Sequence, residues 1–586
     1  MRQWMVAAKK ADFYMIAEKF HVDPVVARII RNREVIGEKN IRIYLGGNLS
    51  DLSDPHQMKD MDRLVEILAQ KIRKQVHIRI IGDYDVDGVT SSHLFLTALR
   101  RVGAKVDVVI PHRIQDGYGL SLHLLQQAKE DGVDTILTCD NGIAAIDEIA
   151  WAKAQKMTVL VTDHHAVPFE EHEGRRTEKK SLADAVVNPH QQDCGYPYKE
   201  LCGAGVAWNV IRVLYENYDM DKREAEDLLD FVAMATVCDV MSLTGENRIL
   251  VKEGLKRIRH TKNIGLQALM QACNVQPENI SAYHFGYVLG PCVNATGRLD
   301  TARHALRLFE TGQETEAEEI ARDLVDLNQE RKELTLQGVE MAKKLCEEGG
   351  YENDPVLVLF LPDVHESIAG LIAGRIREMY NRPVFVLTRG EEGVKGSGRS
   401  TENYSMYENM CGCAELFTKF GGHPMAAGLS LPEENVEKFR RKINENCPLT
   451  VEEVCPDIHI DMAMPVGYAS TELVHQFALL EPFGKDNPSP LFADRNLSIS
   501  RMWLIGKNRN VLRMSVLSEY GQPVPVIFFG DVETLFAYFT EKFGQKEVEN
   551  ALHGRKNRIL FSMVYTAKID FYQGNENLQL EMKYYR

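Results

Sequence analysis

Residues 81–88 read IGDYDVDG. Asp83, Asp85 and Asp87 alternate with Tyr84 and Val86, and Gly88 follows. Three carboxylates this close repel one another unless a positive partner sits among them. VHIRIIG (76–82) reads as a buried strand, so the acids sit where a strand ends.

Strands and helices alternate from about 76 to 190. KVDVVI (105–110), DTILT (134–138), MTVLVT (157–162) and ADAVVN (183–188) read as further strands. Helical stretches at 90–103, 121–132 and 143–155 lie between them. That alternation predicts a parallel sheet with helices on both faces, whose ligands gather beyond the carboxyl ends of the strands. Asp140 follows the third of these strands, and Asp163, His164 and His165 follow the fourth. Asp239 closes an apolar stretch, FVAMATVCD (231–239).

Carboxylates mixed with imidazoles suit Mn²⁺, or Mg²⁺ where oxygen dominates. Asp85, Asp87, Asp140, His164, His165 and Asp239 are too many ligands for one ion that keeps positions for water and substrate. They suit two ions about 3.5–4 Å apart, the arrangement that clamps both oxygens of a phosphoryl displacement. The D-x-D-x-D-G run also resembles the start of a calcium loop, but it lacks that loop's later Glu and follows a strand.

The chain has 586 residues, enough for three or four domains. Its net charge of −15 leans towards a small substrate rather than nucleic acid, although acids grouped around metals count against the total. Eleven scattered cysteines, with no apolar core for a signal peptide in the first twenty residues, predict reduced thiols in a cytoplasmic protein. Cys411 and Cys413 form a lone C-x-C without the second pair that zinc needs. No run approaches the roughly 18 apolar residues of a membrane span.

Residues 200–345 read as mainly helical, with one long helix over 317–349. A second α/β lobe follows, with VLVLFLP (356–362), a helix at about 367–380, PVFVLT (383–388), and Gly-rich segments at 393–400 and 420–430. From about 456 the chain turns to short alternating strands, which suggest a small barrel of the OB type.

GDYDVDG, DNG (140–142), TDHH (162–165) and the Asp of VCDVM resemble the ordered motifs of the DHH phosphoesterase superfamily. PHRIQDGYGL (111–120), CGAGVAW (202–208), GPCVNATGRLD (290–300), GSGRS (396–400), FGGHPMAAGL (420–429) and LEPFGKDNPSPLF (480–492) narrow the resemblance to RecJ-type single-strand DNA exonucleases. It covers nearly the whole chain. It implies an N-terminal segment (1–50), a parallel-sheet DHH catalytic domain (51–300), a connecting helix (301–349), an α/β DHH-associated domain (350–447) and an OB-fold barrel (448–586).

By the same resemblance, Asp85, Asp87, Asp140, His164 and Asp239 are metal ligands for two Mn²⁺ or Mg²⁺ ions, with Asp140 the candidate bridge. His165 is a ligand or a contact to the scissile phosphate. Asp83 belongs to either shell, and Asp163 orients a ligand histidine. Arg113, Arg298 and Arg399, with Ser397, are candidates to hold a 5′-phosphate, and Tyr118, His365 and His423 to touch substrate. Lys507, Arg509 and Arg513 could meet a DNA backbone or simply form a solvated strand face.

The expected partner is single-stranded DNA, with a helicase and a single-strand-binding protein beside it, no membrane, and a monomeric chain. The implied reaction is 5′→3′ hydrolysis releasing 5′-mononucleotides, in DNA repair and recombination. The competing readings are a DHH hydrolase of short oligonucleotides, cyclic dinucleotides or pyrophosphate, and a non-catalytic scaffold, though no ligand acid is missing. Two segments depart from the family pattern. Where the family carries Trp-His-x-Gly, the chain has Asp363-Val364-His365-Glu366, in which His365 survives but its neighbours differ, and Gly484-Lys485-Asp486-Asn487 stands for G-x-G-N.

Overall fold

The structure is a computed structural model and describes residues 3–112, 116, 119–172, 175–299, 301–390, 393–506, 509–572 and 574–586. The chain divides into two compact units, Asn48–Pro456 and Gln3–Gly47 with Asp457–Arg586.

The first unit is built on a five-stranded parallel sheet of β1 (His77–Ile81), β2 (Lys105–Val109), β3 (Thr135–Cys139), β4 (Thr158–Thr162) and β5 (Ala185–Val187). Its order is β2-β1-β3-β4-β5. Side chains alternate between the two faces of a strand. Ile78, Ile80 and Leu137 pack beneath α1 (Met61–Arg73), α2 (Val86–Arg101) and α5 (Gly203–Asn217). Ile81, Ile136 and Val159 pack beneath α3 (Leu122–Glu130) and α4 (Ile146–Ala154). This is the doubly wound arrangement, and its strand order reverses direction between β1 and β3. Crevices in such sheets open at that switch point, beyond the strand ends, where Asp83–Asp87 and Asp140 lie.

Three helices complete what the site needs. α6 (Leu229–Cys238) is apolar and buried, α7 (Gly290–Leu299) follows a π-helical turn, and α8 (Glu314–Glu348) is a 35-residue rod. α8 leads into a second sheet, ordered β9-β10-β8-β7-β6, made of β6 (Leu357–Phe360), β7 (Val384–Gly390), β8 (Gly393–Arg399), β9 (Lys419–His423) and β10 (Ala426–Leu431). α9 (Ala369–Tyr380) packs on it.

The second unit is a closed ring of β11 (Phe492–Ile505), β12 (Val511–Leu517), β13 (Pro523–Phe528), β15 (Asn575–Tyr585) and β14 (Leu560–Tyr572), with β14 pairing back to β11. The expected α/β architecture with a C-terminal OB-type barrel is present. Val26, Ile30 and Tyr44 share this unit's core with Phe492, Leu512 and Met514. Arg33 grips Asp461 through two hydrogen bonds of 2.6 and 3.0 Å, both side chains buried. The departure at Asp486 keeps the turn. Asp486 has φ +59°, a left-handed conformation that Asp tolerates, while Asn487 is buried and accepts a 2.8 Å bond from the Tyr44 hydroxyl.

Candidate metal centre

The loop after β1 enters α2 through its own acids. Asp85 caps the helix, its carboxylate accepting the Gly88 N–H at 3.0 Å. Gly88 has no room for a side chain, because a Cβ there would stand 2.4 Å from the Asp83 carbonyl oxygen. Asp87 is buried and points at the start of α5, where Gly203 N–H donates to Oδ2 (2.6 Å) and Ala204 N–H to Oδ1 (2.7 Å). Free N–H groups at a helix start favour a carboxylate. Gly203 must also be glycine, since a Cβ would lie 2.6 Å from that of Asp140.

Asp140 has φ +62°, which turns its carboxylate back over the end of β3. The next residue pins the turn, with Asn141 Nδ2 donating to Ile81 O (3.1 Å) and Cys139 O (2.9 Å). After β4, Asp163 accepts four hydrogen bonds. Oδ1 takes His164 N–H (2.7 Å), His165 N–H (3.0 Å) and His165 Nδ1 (2.8 Å), and Oδ2 takes Ile143 N–H (2.8 Å). Asp239 sits at the C-terminus of α6, where the helix dipole opposes a negative charge and a cation would relieve it.

These loops bring the candidates together. Three groups each hold their donor atoms within 4.8 Å of one another: Asp83, Asp85 and Asp140; Asp140, His164 and His165; and Asp87, His164 and Asp239. His164 Nε2 is buried with no hydrogen-bond partner among the described residues, and lies 3.1 Å from Asp140, 3.6 Å from Asp239 and 3.7 Å from Asp87. Two donors bound at right angles to one ion at ~2.1 Å stand ~3.0 Å apart, so this spacing fits shared divalent ions. Asp140 belongs to two of these groups, and its two carboxylate oxygens could serve neighbouring ions, whereas His164, also in two groups, has one lone pair on Nε2 and would serve a single ion.

The electrostatics agree. Burial, then Asp87 and Asp85, push the Asp140 carboxyl well above the usual range, and burial followed by Asp87 pushes Asp85 up. Burial pushes the His164 imidazole down, towards the neutral ligand form. At His165 burial works against charge, but the bond to Asp163 prevails and raises it to about 9.

A second constellation lies in the β6–β10 lobe. A cleft of about 470 Å³ is lined by Arg298, Lys395, Ser397, Arg399 and Lys419, with Glu366 on its wall. Arg399 Nη1 donates to Ser397 Oγ (3.2 Å) and Gly398 O (2.7 Å), and Arg298 Nη1 to Ser367 O (2.6 Å). Glu366 pairs with Lys395 at 2.8 Å. A larger cleft of about 910 Å³ lies around Arg440, but that guanidinium is paired with Asp354 at 2.7 Å.

His365 and His423 are exposed and do not line the cationic cleft. His365 instead accepts the Ser367 N–H at 3.3 Å. Arg113, Tyr118 and Lys507 lie outside the described residues. Sequence reasoning missed Asn294, whose Oδ1 accepts the Val86 N–H inside the acid loop at 3.2 Å. The signal was there: Asn294 and Arg298 are four residues apart, one face of one helix.

Three family profiles match the chain: the DHH family, N-terminal domain, over residues 77–236; the DHHA1 domain over 353–447; and the RecJ OB domain over 460–584. The chain is 32% identical over 582 residues to the single-stranded-DNA-specific exonuclease RecJ of Haemophilus influenzae, covering 96% of each. It is 33% identical over 511 residues to the Bacillus subtilis protein of that name, covering 86% of this chain but 63% of that longer relative. The crystal structure of RecJ in complex with Mn²⁺ from Thermus thermophilus superposes with a TM-score of 0.79 at 25% identity, covering 100% of this chain and 79% of that one.

Proposed function

This chain belongs to the RecJ family of single-stranded-DNA-specific exonucleases, and from that premise we propose that it hydrolyses linear single-stranded DNA from the 5′ end and releases 5′-mononucleotides. The observation that carries the polarity is the pairing of two sites on α7. Asn294 holds the acid loop, and Arg298, four residues or ~6 Å of helix rise away, lines the cationic cleft. A terminal phosphate carries more charge than an internal diester, so a cleft of guanidinium and ammonium groups favours an end. Held there, the first internal phosphodiester reaches the acids.

Asp85, Asp87, Asp140, His164 and Asp239, with Asp83 and His165 beside them, would hold two divalent ions, Mn²⁺ or Mg²⁺, which when bound polarise the phosphate and lower the pKa of water. The chain's own residues do the positioning. Gly203 and Ala204 N–H groups fix Asp87. Asp163 engages Nδ1 of His165 and so orients the ring, with Nε2 the atom that would meet a metal ion or the scissile phosphate. Arg298, Arg399 and Ser397 bind the terminal phosphate. The small-substrate reading is not favoured, since a dinucleotide needs no barrel and the relatives are named for single-stranded DNA. The net charge misled because acids collect at the metal centre while cations collect at the cleft.

The eleven cysteines stand as free thiols, in keeping with a reducing cytoplasm, and among the described residues no helix is long and apolar enough to cross a membrane. A helicase would supply the single strands, a single-strand-binding protein would keep them open, and one chain holds both constellations. The test is Arg399→Ala, which should raise KM more for 5′-phosphorylated than for 5′-hydroxyl strands, with Glu366→Gly shifting it the other way. Equal effects on both substrates would contradict the end-binding role.

A further inference from the structure

One helical run carries the site's features in a line. Residues 282–299 comprise a turn, Ala282–His284, a π-helical turn, Phe285–Leu289, and α7. The torsions at the junctions, φ −62° and ψ −54° at Phe285 and φ −57° and ψ −42° at Gly290, stay α-helical, so the run is continuous. π turns inside helices frequently mark functional positions. From one end come Arg298 in the cationic cleft, then Asn294 on the acid loop, then Tyr287 and Tyr283.

The two tyrosine rings stack on each other, centroids 5.1 Å apart and planes at 23°, and are 72% and 62% exposed. The other side of this segment is anchored beside the metal centre. Phe285 and Leu289 are buried, the Cys238 thiol donates to Phe285 O at 3.3 Å, and a Cβ on Gly286 would lie 3.4 Å from Val237. Val237 and Cys238 are the residues just before Asp239. Core packing therefore does not account for the rings, which face solvent on a segment fixed to the end of α6 that carries a metal-centre acid.

We infer that Tyr283 and Tyr287 form a stacking platform for the bases of the strand on the 3′ side of the cleaved bond. This rests on the reading above, that a single strand enters with its 5′-phosphate at Arg298. Asn294 to Tyr287 is ~10 Å of helix rise, and Tyr283 is ~6 Å further. At ~3.4 Å per stacked nucleotide, Tyr287 meets roughly the third base beyond the cleaved bond and Tyr283 roughly the fifth. Every base has a π-face, so aromatic rings grip a strand without choosing its sequence, as an enzyme that must digest any sequence requires.

The test compares a long 5′-phosphorylated oligonucleotide with a dinucleotide too short to reach the rings. The Tyr283→Ala, Tyr287→Ala double variant should raise KM for the long strand about ten-fold or more and for the dinucleotide far less. The Tyr→Phe pair should restore the long-strand KM, because stacking needs the ring and not the hydroxyl. An abasic residue moved along the strand should weaken the wild type most at about the third to fifth base, and the alanine variant uniformly. Long-strand KM unchanged in the alanine variant, or raised equally for both substrates, would overturn the platform while leaving the exonuclease intact. A wild-type chain that shortens no linear single strand would overturn the function reading and the platform together.

Discussion

His165 Nδ1 lies 2.8 Å from Asp163 Oδ1, and the same oxygen accepts the main-chain N–H groups of His164 and His165. One buried carboxylate thus fixes both the ring and the backbone of the histidine pair. Its fourth bond, from Ile143 N–H to Oδ2, ties the pair to the loop after β3.

Asp163→Asn should therefore lower kcat by about 10–100-fold with little change in KM for the strand, since the residue acts through His165. The new amide would set a donor against either Ile143 N–H or the His165 ring, so the melting temperature should fall as well, by the equivalent of about 1–3 kcal/mol. The pair of measurements is kinetics on a single strand and a thermal melt. An unchanged kcat would show that the histidine is held by something else.

Asp140 should report the ions without any assay of activity. Mn²⁺ binds the folded chain, so it should raise the wild-type melting temperature, and a chelator should reverse this. Asp140→Asn keeps a residue type that tolerates φ +62° but removes one of the repelling acids. In chelator the variant should melt no lower than the wild type, and adding Mn²⁺ should raise it much less. A full Mn²⁺ response in the variant would remove Asp140 from the ligand set.

Asp230, at the other end of α6 from Asp239, should give the chain a pH-dependent weakness. Burial raises its carboxyl from 3.8 to about 6, despite bonds from Thr261 Oγ1 and Phe231 N–H. The folded state then keeps a proton that the unfolded state releases. Stability falls as pH rises through the window from about 4 to 6, by roughly 3 kcal/mol in full. Asp230→Asn should be more stable than the wild type at neutral pH, with the gap closing towards pH 4. Denaturation midpoints across that range check it, and a gap independent of pH would contradict the assignment.

Much of the catalytic half was legible because acids and histidines carry their chemistry in their side chains and strand ends place them. The loops after β1, β3 and β4 read as one site from the letters alone. What escaped was carried by backbone or by glycine. Gly203 and Ala204 hold Asp87 with main-chain N–H groups, which no letter announces. β8 and β10 read only as Gly-rich segments, since glycine erases the alternation that marks a strand, yet Ser397 and Arg399 stand on β8. Asn294, a neutral residue in a helix, gave no charge signal. Residues 3–47 join the barrel's core through contacts more than four hundred positions away in sequence, as Tyr44 with Asn487 illustrates.

The most direct test of the central claim uses two linear single strands, one labelled at its 5′ end and one at its 3′ end, beside a closed circle of the same sequence, in Mn²⁺. Label should leave the 5′-labelled strand at once as a mononucleotide, the 3′-labelled strand should shorten progressively while keeping its label, and the circle should survive. Early release of the 3′ label, or digestion of the circle, would contradict a cleft that reads the 5′-phosphate beside the acid cluster.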